Sequence, residues 1–323
     1  MTPQELREAV FNFRTSRIIL TGLELELFTA LGKESKTSAE VAGIISADTR
    51  ATDRLMNTLC NMDLLEKKNG QYSNTDFSSQ YLVKGKPDYI SNLLHSVNLW
   101  DSWSGLTEVV RKGKPPARPN EGRKNWLVNF IEAMHYRASK QAPGDISLID
   151  LSGVRNVLDL GGGSGAYAME FVKSVKEINA TVFDLPDVIP LTEKYLKAAG
   201  LVERIKTIKG NYLSDGIGSG YDAVFLSAVI HSNSFDENKA LIKKCADSLN
   251  KNGQVIIQDY VMDEDRISPP MGAMFAINML VNTQSGDTFT QSEIYSWLKS
   301  AGLKEINRKE TSHGAAQVAA RKI

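Results

Sequence analysis

Cysteine is nearly missing from this 323-residue sequence: Cys60 and Cys245 are the only two, too few for a disulfide framework or a cysteine metal site. Net charge is missing as well, because 38 Lys and Arg balance 38 Asp and Glu, so no global field draws in nucleic acid or anionic lipid. There is no uninterrupted apolar run of about 18 residues, so no membrane span is expected. His95, His135 and His313 have no spacing that suggests metal ligation, and no H-x₃-H pattern or acid cluster accompanies them, so no metal is expected. The N-terminal MTPQELREAVFNF mixes acids and bases without an apolar secretion core, and the cytoplasm is the expected compartment. Internal repeats and low-complexity segments are absent too. What remains is an ordinary globular composition, 42% hydrophobic and 24% charged, in a chain long enough for two domains.

Residues 4–31 show helical spacing through Ile18, Ile19, Leu23, Leu27 and Leu31. A second helix is capped near Thr37 or Ser38, with Glu40 in its first turn. A third runs from Arg50 to Leu65, and Asn69-Gly70 then signals a hairpin between two short strands. Helix, helix, helix, hairpin is the order of a winged helix-turn-helix. Residues 1–90 carry 11 Lys/Arg against 12 Asp/Glu, a net of −1, whereas a DNA-binding module needs a basic footprint. A protein–protein surface is the expected use. Residues 91–150 read as a helical, aromatic-rich segment, broken by the proline-rich stretch RKGKPPARPNEGRK from Arg111 to Lys124, which is expected to be a loop.

From Val154 the period changes. Strand patterns at 155–160, 180–185, 205–208, 221–228, 254–262, 304–309 and 315–321 alternate with helical patterns at 165–177, 188–199, 236–249 and 290–301. Such alternation predicts an α/β, Rossmann-like, seven-stranded doubly wound sheet. The last two strands are joined too briefly for a crossover helix. They should form an antiparallel hairpin near one edge, leaving one strand reversed. Three regions result: 1–90, 91–150 and 151–323.

The stretch NVLDLGGGSGAYAMEF, Asn156 to Phe171, places three glycines directly after the first of these strands. Glycines there let the chain turn sharply and a ligand press against the backbone, at the strand ends where such sheets bind ligands. The spacing of Gly161, Gly163 and Ala166 satisfies a dinucleotide fingerprint. Asp159 argues against that reading: an anion beside the site repels a pyrophosphate and attracts the ammonium group of a sulfonium cofactor, directly or through water. Asp184 ends the next strand, where a carboxylate can take both ribose hydroxyls.

Together DLGGGSG, FDLPDVI, GNYL, YDAVFLSAVIH, IKKCADSL and GQVIIQDYV resemble, over nearly the whole chain, the S-adenosylmethionine-dependent O-methyltransferases of the plant caffeic-acid and acetylserotonin type. Bacterial relatives of that family act on carotenoids, bacteriochlorophylls and polyketides. The resemblance implies a homodimer joined through the N-terminal winged-helix domain. It implies that Gly161 and Gly163 hold the methionine part of the cofactor, Asp184 its ribose, and Leu185 and Tyr212 its adenine. Asn211 stands where the family usually has an Asp, and Ser227 where plant members carry a Lys.

His231 ends the strand AVFLSAVI at the rim where ligands bind, and an imidazole suits proton removal at neutral pH. It matches the family's catalytic His. The family continues His-Asp-Trp, whereas this chain reads His231-Ser232-Asn233. Asp259 matches the first of two acids that orient the His; the second position falls on Thr288. Trp103, Phe130, Met134, Met274 and Met279 are candidates for an apolar substrate wall, and core packing is the competing role for each. The expected activity is methyl transfer from S-adenosylmethionine to a small aromatic or apolar hydroxyl compound. The alternatives are carbon or nitrogen methylation on the same fold, an NAD-dependent oxidoreductase, and a cofactor-sensing winged-helix regulator.

Overall fold

Cap residues set the starts of the first helices. Thr2 with Glu5 and Thr37 with Glu40 form reciprocal capping boxes, and Asp48 accepts the Ala51 N–H. The computed structural model describes residues 1–116 and 123–323, which divide into two units, Met1–Leu99 and Trp100–Ile323. The middle of the proline-rich stretch, 117–122, lies outside the described residues.

The first unit contains α1 (Pro3–Phe11), α2 (Phe13–Glu24), α3 (Leu27–Leu31), α4 (Ser38–Ile44), α5 (Thr49–Asn61), β1 (Leu65–Lys68), β2 (Gln71–Asn74) and α6 (Asp76–Tyr81). Asn69 and Gly70 both adopt positive φ, 51° and 80°, as the two-residue hairpin turn requires. Leu27, Phe28, Leu31, Met56, Leu59 and Tyr72 form the centre of this unit, all at 1% exposure or less. No residue of α1 is buried, and Leu6, Val10, Phe11 and Phe13 are each more than half exposed.

The chain continues through α7 (Leu93–Ser104), α8 (Leu106–Lys112) and α9 (Arg123–Ser147). The alternating part then comprises β3 (Asn156–Leu160), α10 (Ala166–Ser174), β4 (Asn179–Asp184), α11 (Ile189–Ala198), β5 (Ile205–Lys209) and β6 (Tyr221–Ser227). It goes on with α12 (Phe235–Ser248), β7 (Leu249–Asp259), β8 (Val261–Met262), α13 (Pro270–Asn282), β9 (Phe289–Thr290), α14 (Gln291–Ser300), β10 (Lys304–Glu310) and β11 (Ala316–Arg321).

Seven strands form one sheet in the order β10-β11-β7-β6-β3-β4-β5. Only β11 runs against its neighbours: it pairs antiparallel with both β7 and β10, as the short connection demanded. The period of two divides each strand between two cores. Leu158, Val224, Leu226, Val255 and Ile257 face Leu241 and Ile242 of α12 and Trp297 of α14. Val157, Ala223, Phe225 and Ile256 face Ala168 and Phe171 of α10 and Ala142 and Ile146 of α9. Strand order reverses between β3 and β6, which leaves a crevice beyond their C-terminal ends.

Two elements depart from expectation. The single strand expected over 254–262 breaks at Tyr260, whose N–H is taken by the Asp259 carboxylate at 2.8 Å. The chain then leaves the main sheet, and β8 pairs with β9 instead. Helix α13 carries no sequence signal because PMGAMFAINMLVN is apolar nearly all round, with no stripe to detect.

A polar hub pins α9 to the sheet. Asp145, 1% exposed, accepts from Tyr167 Oη at 2.8 Å and Gln258 Nε2 at 3.0 Å, and its Oδ1 lies 3.0 Å from His313 Nε2. Gln317 Nε2 donates to the Asp145 carbonyl at 2.8 Å and to Gln258 Oε1 at 2.8 Å. The Asp145 carboxylate and the Gln258 and Gln317 amides of the hub thus satisfy one another.

On the opposite face Trp297 is fully buried, with Phe289 and Phe235 rings 4.9 and 5.3 Å away. Trp297→Ala should cost about 3–5 kcal/mol of stability, read from urea unfolding, because the cavity it leaves is walled by rigid rings.

Candidate active site

The loop between β3 and α10 is shaped by what lies beneath it. The alternation of β3 turns Asp159 to the same face as Val157, under α10, where it is 1% exposed and its Oδ2 accepts the Ala168 N–H at 3.1 Å. A Cβ on Gly162 would fall 2.7 Å from that carboxyl group, and one on Gly161 would fall 2.9 Å from Val229 Cγ2. Both glycines are therefore needed for close approach, Gly161 also for its φ of +70°. Asp159, which the sequence places next to a cationic ligand, is buried in this structure and caps α10 through the Ala168 N–H. Burial, with a smaller contribution from Asp184, pushes its carboxyl up to about 7 against the pull of the Ala168 N–H.

From the other side, Asp184 at the end of β4 accepts the Gly163 N–H on Oδ2 and the Leu185 N–H on Oδ1, each at 2.7 Å. Burial raises its carboxyl group, and these two N–H groups offset only part of the rise. Each oxygen keeps lone-pair capacity toward the crevice. Leu185 beside it is 47% exposed. Tyr212 lays its ring near the loop, with Cε1 3.8 Å from where a Gly161 Cβ would sit. Its phenol, lifted to about 12 chiefly by burial, donates to Asn233. The Asn211 side chain turns to its own loop, its Oδ1 accepting the Leu213 N–H at 3.0 Å. Ser227, at the end of β6, accepts from Gln258 Nε2 at 3.1 Å and so joins the Asp145 hub. From above, Ser164 Oγ lies 2.9 Å from His135 Nδ1 of α9.

His231 sits in a short 3₁₀ turn, Ile230–Ser232, just beyond β6. Its Nδ1 lies 2.9 Å from both oxygens of Asp259, which ends the neighbouring strand β7 and is 5% exposed. A proton on Nδ1 donated to that carboxylate leaves Nε2 with a free lone pair, the tautomer a general base requires. The Phe275 ring meets the imidazole edge-on at 4.8 Å.

Comparison with known proteins identifies the family. Residues 122–304 match the profile described as an O-methyltransferase domain, and residues 8–84 match an O-methyltransferase dimerisation domain. The 3-hydroxy-5-methyl-1-naphthoate 3-O-methyltransferase of Streptomyces sahachiroi is 31% identical, over 94% of this chain and 90% of that protein. The chain belongs to the O-methyltransferase family. The tetracenomycin polyketide synthesis 8-O-methyl transferase of Streptomyces glaucescens is 23% identical, over 96% of this chain and 94% of its own length. Among solved structures, human N-acetylserotonin methyltransferase in complex with S-adenosylmethionine superposes with a TM-score of 0.84 at 25% identity, covering 99% and 97% of the two chains. This enzyme is accordingly an S-adenosylmethionine-dependent O-methyltransferase with a dimerisation domain. Among the described residues, no helix is long and apolar enough to cross a membrane, and no cluster of His, Cys, Asp or Glu could hold a metal ion.

The methyltransferase carries its substrate-wall candidates unevenly. Trp103 donates its indole N–H to Asn278 of α13 at 3.1 Å, and Met279 on the same helix is buried. Met274 is 63% exposed, and it is its neighbour Phe275, not singled out by the sequence, that reaches His231. Phe130 stacks on Trp126 with ring centres 5.2 Å apart, and the Met134 sulfur accepts weakly from Arg137. Thr288 is buried, and Arg266 binds its carbonyl at 2.9 Å; the adjacent Asp287 gives its N–H to the His231 carbonyl at 3.0 Å.

The raised Asp159 carboxyl has a signed consequence. A carboxyl raised from an ordinary value near 3.8 to about 7 on folding favours the fold below pH 4. That contribution is lost as pH rises to 7 and beyond. Asp159→Asn stays neutral and can still accept the Ala168 N–H. Its melting temperature, measured without cofactor, should therefore gain on the wild type steadily from pH 4 to pH 8; an offset that does not change with pH would contradict this assignment.

Proposed function

We propose that the enzyme methylates a hydroxyl group on an aromatic or polyketide-type acceptor, with His231 as general base and Asp259 holding its tautomer. The observation that carries this reading is the 2.9 Å contact of His231 Nδ1 with both Asp259 oxygens, at the C-terminal ends of adjacent strands. The acceptor class follows the relatives' naphthoate and tetracenomycin chemistry.

The glycine loop suits a cofactor that lies against bare backbone, since side chains on Gly161 and Gly162 would collide with their surroundings. Gly161 and Gly163 would hold the methionine part, Asp184 the ribose, and Leu185 and Tyr212 the adenine. S-adenosylmethionine, when bound there, supplies a methyl group on a positively charged sulfur that leaves readily. The residues must then align the acceptor oxygen, exclude water and remove its proton. Alignment can contribute about 7–11 kcal/mol and a general base about 10²–10⁴-fold, so positioning is the larger effect. Asp259 supports the positive charge that Nε2 acquires with the acceptor's proton, and Phe275 closes one side of the imidazole. Trp103 and Met279 would contribute to the acceptor wall beside it.

Activity is tested by offering a panel of hydroxyarenes, 3-hydroxy-2-naphthoate among them, with methyl-deuterated S-adenosylmethionine and following label transfer by mass spectrometry. His231→Ala should lower turnover at least tenfold while S-adenosylhomocysteine affinity stays unchanged. Unaltered turnover would reduce His231 to a bystander.

The exposed apolar residues of α1 and the matched dimerisation domain support a homodimer joined through the N-terminal unit. Both cysteines are free, which suits a cytoplasmic enzyme. The net charge of residues 1–90 gives the winged helix no basic footprint for nucleic acid. Phe11→Asp should shift the enzyme from dimer to monomer in sedimentation velocity.

A further inference from the structure

Asn233 and Asn238 are buried at 3% and 0% exposure beside a turn that must hold His231 still. Their hydrogen bonds run one way. Tyr212 Oη donates to Asn233 Oδ1 at 3.2 Å, Asn233 Nδ2 donates to Asn238 Oδ1 at 3.0 Å, and Asn238 Nδ2 donates to the Ile230 carbonyl at 2.8 Å. At one end the Tyr212 ring lies against the glycine loop at Gly161. At the other, the bond to Ile230 fixes the peptide that leads into His231. A buried amide with a missing partner is costly, so each member of this chain constrains the next.

We infer that Asn233 is a positioning residue that ties the cofactor cradle to the turn carrying His231, so that a wall of the adenine site and the base are held by one side chain. Asn233 touches neither reacting atom; it acts through Tyr212 on one side and through Asn238 and Ile230 on the other. The inference rests on the reading of Tyr212 as an adenine neighbour and His231 as the base.

Binding of S-adenosylhomocysteine by calorimetry, well below the melting temperature, tests the first link without any acceptor. Asn233→Ala and Tyr212→Phe should each weaken binding about tenfold, and the double variant should be no weaker than the weaker single one, because both remove the same bond. Asn238→Leu keeps the Tyr212–Asn233 bond and removes the side-chain hold on Ile230, leaving its carbonyl the Asn233 N–H at 3.2 Å. It should bind S-adenosylhomocysteine within twofold of wild type, yet turn over about tenfold more slowly with any hydroxyarene the panel accepts. Wild-type affinity in Asn233→Ala, or additive losses in the double variant, would overturn the inference and leave Asn233 a packing residue. Full turnover in Asn238→Leu would overturn its second link. Should Asn233→Ala fail to fold, Asn233→Ser, which keeps a hydroxyl of smaller reach, takes its place in the cycle. Failure of the base reading is distinct: it appears as full turnover in His231→Ala with the binding cycle intact.

Discussion

The carboxyl group of Asp159 beneath the glycine loop is the constraint on which the proposed cofactor cradle rests. It occupies the space a Gly162 side chain would need, and it takes the Ala168 N–H at the start of α10. Asp184 grips the same loop from β4 by the Gly163 N–H. Two carboxyl groups from adjacent strands therefore hold the loop from opposite sides, and their mutual repulsion contributes to the rise in Asp159. A loop held this way has few conformations left to lose when a ligand settles on it, which is how a preformed site lowers the entropic cost of binding.

The proposed acceptor side is ordered by a different pair. His231 and Asp259 stand at the ends of β6 and β7, so the parallel register of two core strands sets their separation. Where the sequence resemblance implies a second orienting acid, this chain has Thr288, a buried residue that cannot carry charge. The backbone of the same loop compensates in part, because the Asp287 N–H binds the His231 carbonyl. Orientation passes from a second charge to a main-chain bond and to the amides behind the turn.

Much of this was legible beforehand where the local pattern and the final environment agree. Asn69-Gly70 has one good conformation, and the hairpin formed there. The apolar runs of β3, β6 and β7 are long because both faces of the sheet are covered, and the short link after β10 forced the antiparallel return. The illegible parts share a cause: their role depends on a partner far along the chain. Asp159 shows in the sequence as an anion beside the loop, but its bond to the Ala168 N–H nine positions on depends on the face of β3 it occupies. Helix α13 has no amphipathic stripe, so neither its existence nor the inward turn of Phe275, with Met274 facing out, could be read from spacing. Asn233 and Asn238 look like ordinary cap-region polar residues five positions apart; only the fold shows them back to back.

The hub around Asp145 joins residues separated by up to 172 positions, and its outermost members, His313 and Gln317, belong to the return from β10 to β11. During synthesis β11 is the last of the seven strands to be made. Until residues 316–321 emerge, β7 has one unpaired edge, and the acid at the end of α9 lacks two of its partners. The helix that lies over the glycine loop is thus locked down from the far end of the chain. A ribosome-bound enzyme interrupted before β11 would carry every residue of the cofactor cradle beside a sticky strand edge, assembled in sequence but not yet in space.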